Sequence, residues 1–229
     1  MKLFLTALLL LPAPARPEKG DPLAGTVVRS KEYVVRRSPH KVEEFIGDVY
    51  YRNGNRQIRS DHATFDHQSK IWRARGHVQG LLRLKDGTPI QLWGEEAEHN
   101  MATERGWIRE KDREHPVRFE HGEQALKDEG VARRLEWDEK ASRAWARGDV
   151  HVWGERGEAW AETAEYQHDR RLLTFTGRRP VIVHHEPKWS GALQAEQIRA
   201  IEGERRLQGD GKVQGWIVFE SLREKGFKP

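Results

Sequence analysis

Six positions of a unit repeated about every 30 residues never carry a charge, in a chain where 33% of all residues do. The clearest unit runs Gln57-Ile58-Arg59-Ser60-Asp61-His62-Ala63-Thr64-Phe65-Asp66, then a turn, then Ile71-Trp72-Arg73-Ala74-Arg75-Gly76-His77-Val78. Later units centre on Ala97, Leu135, Ala164 and Ile198, at offsets of 34, 38, 29 and 34 residues. Aligned on these centres, the six columns begin with Ile58, Ser60, Ala63, Phe65, Trp72 and Ala74. Of the 30 positions they hold, 28 are apolar, aromatic or glycine, and the exceptions are Ser60 and His99. Glycine keeps the same step. Gly76, Gly148, Gly177 and Gly211 each lie 13 residues after the centre of their unit, and the second unit has Glu110 there instead.

Within a unit the uncharged positions fall at i, i+2, i+5 and i+7. Steps of two are strand alternation, with one face apolar and one wet. The step of three breaks parity once, as a bulge or corner does when a strand bends and keeps its apolar face inward. A turn such as Asp66-His67-Gln68-Ser69-Lys70 then leads into the next strand as a hairpin. No long segment has a helical period. Glu123–Glu139 comes nearest, but Leu135 and Trp137 within it keep to the strand columns. The expected fold is all-β, an elongated stack of bent antiparallel strands around an apolar interior. Many inward residues are small, so that interior is either open along its axis or filled by opposing aromatics. The candidates to line it are Ile58, Ala63, Phe65, Trp72, Leu92, Leu135, Trp137, Ala146, Tyr166, Leu173, Phe175, Ile198 and Leu207. For the aromatics among them, core packing and groove lining are both open.

Nine Trp, seven Phe and four Tyr argue against a disordered chain. Lys and Arg outnumber Asp and Glu by only 40 to 36, with the signs interspersed, which is too mild a bias for a nucleic-acid surface. The absence of cysteine excludes disulfides and thiol catalysis. Lys2, the apolar run Leu3–Leu11 and the Ala13-Pro14-Ala15 site read as a secretory signal peptide over residues 1–15. An apolar run at about 1.5 Å per residue that ends at Leu11 covers about half of a roughly 30 Å bilayer core, which favours a cleaved signal over a retained anchor. An N-terminal segment over 16–43 with an opening strand at Tyr33-Val34-Val35, the repeat array over 44–219 and a tail over 220–229 complete the expected organisation.

The ordered series of units resembles the LptA/OstA family of lipopolysaccharide transport proteins. Ile58–Val78 resembles the family's first repeat, with an aromatic-Asp before the turn and Gly-x-Val at the end. His115-Pro116-Val117-Arg118-Phe119 is similar to its middle segment, Gly130–Val152 to the next repeat, and Ala159–Val183 to the last repeat and exit strand. Together these cover about residues 44–183, and residues 184–219 add a further unit. The resemblance implies an OstA-like twisted antiparallel β-jellyroll in the periplasm. It also implies lipopolysaccharide, through its lipid A, as ligand. LptC-like and LptD-like partners of the same fold, and head-to-tail self-association, are implied too. An LptC-type role at the membrane is the neighbouring alternative.

Edge strands expected near Val49–Tyr51 and Trp216–Phe219 are candidates for pairing with such partners. Arg36-Arg37, Arg178-Arg179 and Arg205-Arg206 are candidates for the lipid's phosphates, against the plainer reading of surface charge. No H-E-x-x-H, G-x-S-x-G or Walker A pattern occurs, so no enzymatic activity and no cofactor is expected. Nor is a metal expected at His184-His185-Glu186, because adjacent strand residues point to opposite faces. Two other readings compete. A carbohydrate-active enzyme on a β-scaffold needs carboxylates in the inward columns, which hold none. A structural repeat protein with a filled core needs no ligand.

Overall fold

The computed structural model describes residues 25–54, 56–83, 89–122, 127–201 and 206–219. The signal peptide, the tail and Arg205 lie outside the described residues. The strands are β1 (Val27–Arg29), β2 (Glu32–Arg36), β3 (Val42–Asn53), β4 (Arg56–Asp66), β5 (Ile71–Arg83) and β6 (Pro89–Asn100). They continue with β7 (Arg105–Arg109), β8 (Val117–His121), β9 (Asp128–Ala132), β10 (Arg134–Asp138), β11 (Arg143–Gly154) and β12 (Gly157–Gln167). The last are β13 (Leu172–Thr176), β14 (Val181–Glu186), β15 (Trp189–Gln194), β16 (Gln197–Ile201), β17 (Arg206–Asp210) and β18 (Gln214–Phe219). A 3-10 turn, His168–Arg170, interrupts them. Glu123–Glu139 contains β9 and β10 and no helix among its described residues.

All pairings are antiparallel and build two half-sheets facing each other. The first runs β2-β3-β4-β5-β6-β7-β10-β11-β12-β13-β16-β17. The second runs β1-β3-β4-β5-β6-β8-β9-β11-β12-β14-β15-β18. The long strands β3, β4, β5, β6, β11 and β12 belong to both and bend between them, which makes the jellyroll.

The bends lie where parity breaks. In β5, Gly76 and His77 both have positive φ, +75° and 47°, and together oppose the single residue Glu95. A Cβ at Gly76 would fall on the side chain of Asp61. Only glycine meets both demands, the left-handed backbone and the close approach. Asp61 then accepts a hydrogen bond from His77 at 2.7 Å. The same pair of left-handed residues recurs at Gly47-Asp48, Gly148-Asp149, Gly177-Arg178 and Gly211-Lys212. At Gly47, Gly76 and Gly148 the strand continues through the bend, whereas at Gly177 and Gly211, as at Glu110, it divides into two. The chain leaves the sheet after Arg109 and returns at Val117, so β7 and β8 serve different half-sheets.

The registers align the uncharged columns into continuous inner rows. One runs Tyr33, Phe45, Ala63, Ala74, Ala97, Ile108, Leu135, Ala146, Ala164, Phe175, Ile198, Gly209 across the first half-sheet. At about 4.8 Å between neighbouring strands, such a row is roughly 50 Å long. Outward rows carry the charge, for example Arg75-Glu96-Arg109-Arg134-Arg147. Exposed pairs there, such as Arg109–Glu96, contribute about 0–1 kcal/mol each and serve mainly solubility.

β1 and β2 pair onto β3, so the sheet begins within the segment expected to precede the array. Val49–Tyr51 is therefore not an edge. It is held between β1 and β4, and the opening edges are β1 and β2 themselves. At the other end β17 and β18 are the last strands, in agreement with the edge expected at Trp216–Phe219.

Candidate functional site

All thirteen candidate lining residues point between the half-sheets, but the space around them differs along the array. From β10 to β16 the interior is filled. Ala146, Tyr166, Leu173, Phe175 and Ile198 belong to one buried cluster with Ala164 and Val150, and Leu135 and Leu207 pack against it. Towards the N-terminal end the interior holds an open cavity of about 120 Å³. Ile58, Ala63, Trp72, Leu92 and Trp137 line it, together with Tyr51, Val78, Ala97 and Ile108. Phe65 sits behind this wall, fully buried and stacked on Trp72 at 5.0 Å. A second open cavity, about 690 Å³, lies at the C-terminal end under β14, β15 and β18, and Leu207 is on its wall.

Small residues create the N-terminal cavity. Ala63, Ala74 and Ala97 follow one another in the inner row, and Gly80 lies across from them beside Leu92. In the filled half the same row passes to Leu135, Phe175 and Ile198. The row also holds Ala146 and Ala164 there, and the larger side chains of the same buried cluster, such as Tyr166 and Phe175, fill the interior.

Its wall is apolar with a few polar points. The indole N–H groups of Trp72 and Trp137 are buried without a hydrogen-bond partner among the described residues. His99 lies in the same inner row as Trp137 and stacks on it at 6.3 Å. Burial, helped by the charge of Arg56, holds His99 down to about 4, so it is neutral at pH 7. Burial also raises the Tyr51 phenol. Further along, burial pushes the Asp128 carboxyl up to about 6.

The arginine pairs proposed for phosphate are elsewhere. Arg36 pairs with Glu44 at 2.5 Å on the outer face of β2 and β3. Arg178 pairs with Glu162 and Asp149 at a corner, 3.0 and 3.4 Å away. Arg206 is exposed on the last strand of its half-sheet. Arg56 and Arg73 lie on the groove wall, and sequence reasoning missed Arg56. It stands alone between Asn55 and Gln57, and only the fold brings its partner, Glu139, near it. His184 and Glu186 share a face and hydrogen-bond at 3.0 Å, whereas His185 reaches Ser190 on the other face.

A search of curated proteins finds no match. Among solved structures, LptH from Pseudomonas aeruginosa, described as the LptA homologous periplasmic component of the lipopolysaccharide transport device, aligns with 66% of this chain and 81% of its own. That alignment has 12% identity and a TM-score of 0.31. The family model of the LptA/(LptD N-terminal domain) LPS transport proteins matches residues 28–202. That span holds β2 to β16 and the N-terminal cavity, and this all-β chain belongs to that family.

Proposed function

We propose that the chain is a periplasmic bridge protein that binds lipopolysaccharide and carries its acyl chains in the apolar groove from an inner-membrane transporter towards the outer membrane. The observation that carries this reading is the pair of facing inner rows, uncharged from end to end, which part to leave the cavity bounded by Ala63, Trp72, Ala97 and Trp137. Exposing an acyl chain to water costs about 0.8 kcal/mol per CH₂, so a chain of about a dozen carbons costs on the order of 10 kcal/mol. Continuous apolar cover removes that cost, while the charged outer rows keep the carrier in solution. The indole donors of Trp72 and Trp137 suit the ester or amide carbonyls of an acylated sugar, since a buried donor without a partner is costly. No nucleotide motif is present, so directional transport takes its energy from a partner.

Partners of like fold are proposed to add at the terminal strands, β1 and β2 at one end and β17 and β18 at the other, where sheet hydrogen bonds and the interior can continue from one molecule to the next. Photo-crosslinking in cells from a reactive residue at Trp137 tests the reading, with the closed position Ala146 as control. Lipopolysaccharide adducts at Trp137 and few at Ala146 are expected. A groove position that captures no lipid, in a protein that is folded and exported, would leave the structural-repeat reading in its place.

A further inference from the structure

The two half-sheets meet at the glycine corners, and on the opposite side the far ends of the strands face each other. Among the described residues, one ion pair joins those ends. Arg56, the first residue of β4, stands at the far end of the second half-sheet. Glu139, in the turn that follows β10, stands at the far end of the first. The Arg56 guanidinium donates to both carboxylate oxygens of Glu139, each at 2.9 Å, across 83 residues of sequence. The Glu139 side chain is 1% exposed and that of Arg56 is 23% exposed, so the pair is set into the rim and not spread on the surface. The Glu139 backbone N–H donates to the carbonyl of Glu104 at 3.0 Å, which fixes the turn that carries it. Arg56 is at the same time a wall residue of the N-terminal cavity, alongside Tyr51, His99 and Trp137.

We propose that Arg56–Glu139 is a latch on the open side of the groove, and that acyl chains enter the N-terminal cavity sideways by parting it. This rests on the lipid-carrier reading above. A polar sugar headgroup stays in water while its chains lie inside, so a lipid moving along the groove needs the open side continuous, and the pair bars it. The chemistry of the bar suits a closure that must open. A buried ion pair gains little net stability over an apolar contact, because desolvation offsets its Coulomb energy. When the rims separate, both groups regain water, and the bidentate face of Arg56 becomes available to an anionic group on the headgroup. An apolar contact at the same place would present only hydrocarbon to water when opened.

The sequence contains no cysteine, so a defined covalent bar can replace the ionic one. Arg56→Cys with Glu139→Cys is bridged by a bis-maleimide whose spacer contains a disulfide, and loading is followed by stopped-flow with fluorescently labelled lipopolysaccharide. The bridged protein is expected to load at least tenfold more slowly than the unbridged double variant, and reductant is expected to restore the rate in the same molecules. The reversed pair, Arg56→Glu with Glu139→Arg, is expected to load within about threefold of wild type, and Glu139→Gln faster. Equal loading before and after cleavage of the bridge overturns the latch and leaves the carrier reading standing. Wild-type protein that binds no labelled lipopolysaccharide overturns both.

Discussion

The indole of Trp137 occupies the space that a side chain at Gly106 would need. The two residues are cross-strand partners on β10 and β7, and a Cβ at Gly106 would fall within the ring and 2.8 Å from the carbonyl oxygen of Glu98. Because Trp137 is a wall of the N-terminal cavity, Gly106 sets how deep that cavity is. Gly106→Ala is expected to push the ring into the groove and to cost about 1–3 kcal/mol through overpacking. Denaturant unfolding followed by tryptophan fluorescence reads the cost, and titration with labelled lipopolysaccharide reads the lost capacity. Unchanged values for both would show that the ring does not depend on this glycine for its place.

Ala97 and Ala146 occupy one inner row, yet enlarging them has different consequences. Ala97 borders the open cavity, whereas Ala146 is fully buried in the filled cluster. Ala97→Leu places its extra carbons in empty space and is expected to change stability by less than about 1 kcal/mol while weakening lipid binding several-fold. Ala146→Leu forces the same carbons into a packed core and is expected to cost about 1–3 kcal/mol. Paired melting and binding measurements on the two variants decide whether the cavity boundary lies between these strands.

The repeat made the strands, their inward faces and the parity breaks legible, because local alternation and glycine spacing are written every 30 residues or so. The filling of the interior was not legible. Ala97 and Ala146 both stand in uncharged columns of the repeat, and only the fold shows that Ala97 has Ala74 and Ile108 beside it while Ala146 has Leu135 and Ala164 beside it in a buried cluster with Tyr166 and Phe175. Val49–Tyr51 misled as an edge because β1, a three-residue strand, gives too weak a periodic signal to be seen covering it. The Arg56–Glu139 pair is invisible to any local pattern, since its 83-residue separation is set by the stacking of half-sheets.

Two buried groups give stability opposite pH dependences in one window. His99 is lowered from 6.5 to about 4 in the folded protein. Between those values the unfolded chain binds more protons, so this contribution is full above pH 6.5 and is lost as pH falls towards 4, by on the order of 2–3 kcal/mol. Asp128 is raised from 3.8 to about 6. Its folded form takes the proton first, so its contribution is present below pH 3.8 and is lost as pH rises through about 6. Asp66 and Asp138 are held below the usual carboxylate range and act only at lower pH. Relative to wild type, His99→Asn is therefore expected to gain stability on going from pH 7 to 4.5, and Asp128→Asn to lose it. Urea unfolding at the two pH values gives the four differences, and parallel shifts in both variants would contradict the assignment.

The C-terminal end bears on the proposed head-to-tail self-association. The inner face of β18 carries Ile217, 62% exposed, and Phe219, 51% exposed, over the open cavity that Ile182, Leu193 and Leu207 line from behind. At the other end of the array, on the first half-sheet, Tyr33 is 54% exposed and packs against Phe45 with ring centroids 5.1 Å apart. Among the described residues both ends thus expose inward-facing side chains that a second molecule could cover. Ile217→Arg puts a charge where a neighbour's inner face would lie, and burying it unpaired would cost several kcal/mol. The expected outcome is concentration-dependent self-association in the wild type, read by light scattering, shifted at least tenfold to higher concentration in the variant. The monomer's melting temperature should stay nearly unchanged, because the substituted side chain is already in water. Association that persists undiminished in Ile217→Arg would move the contact away from this end of the array.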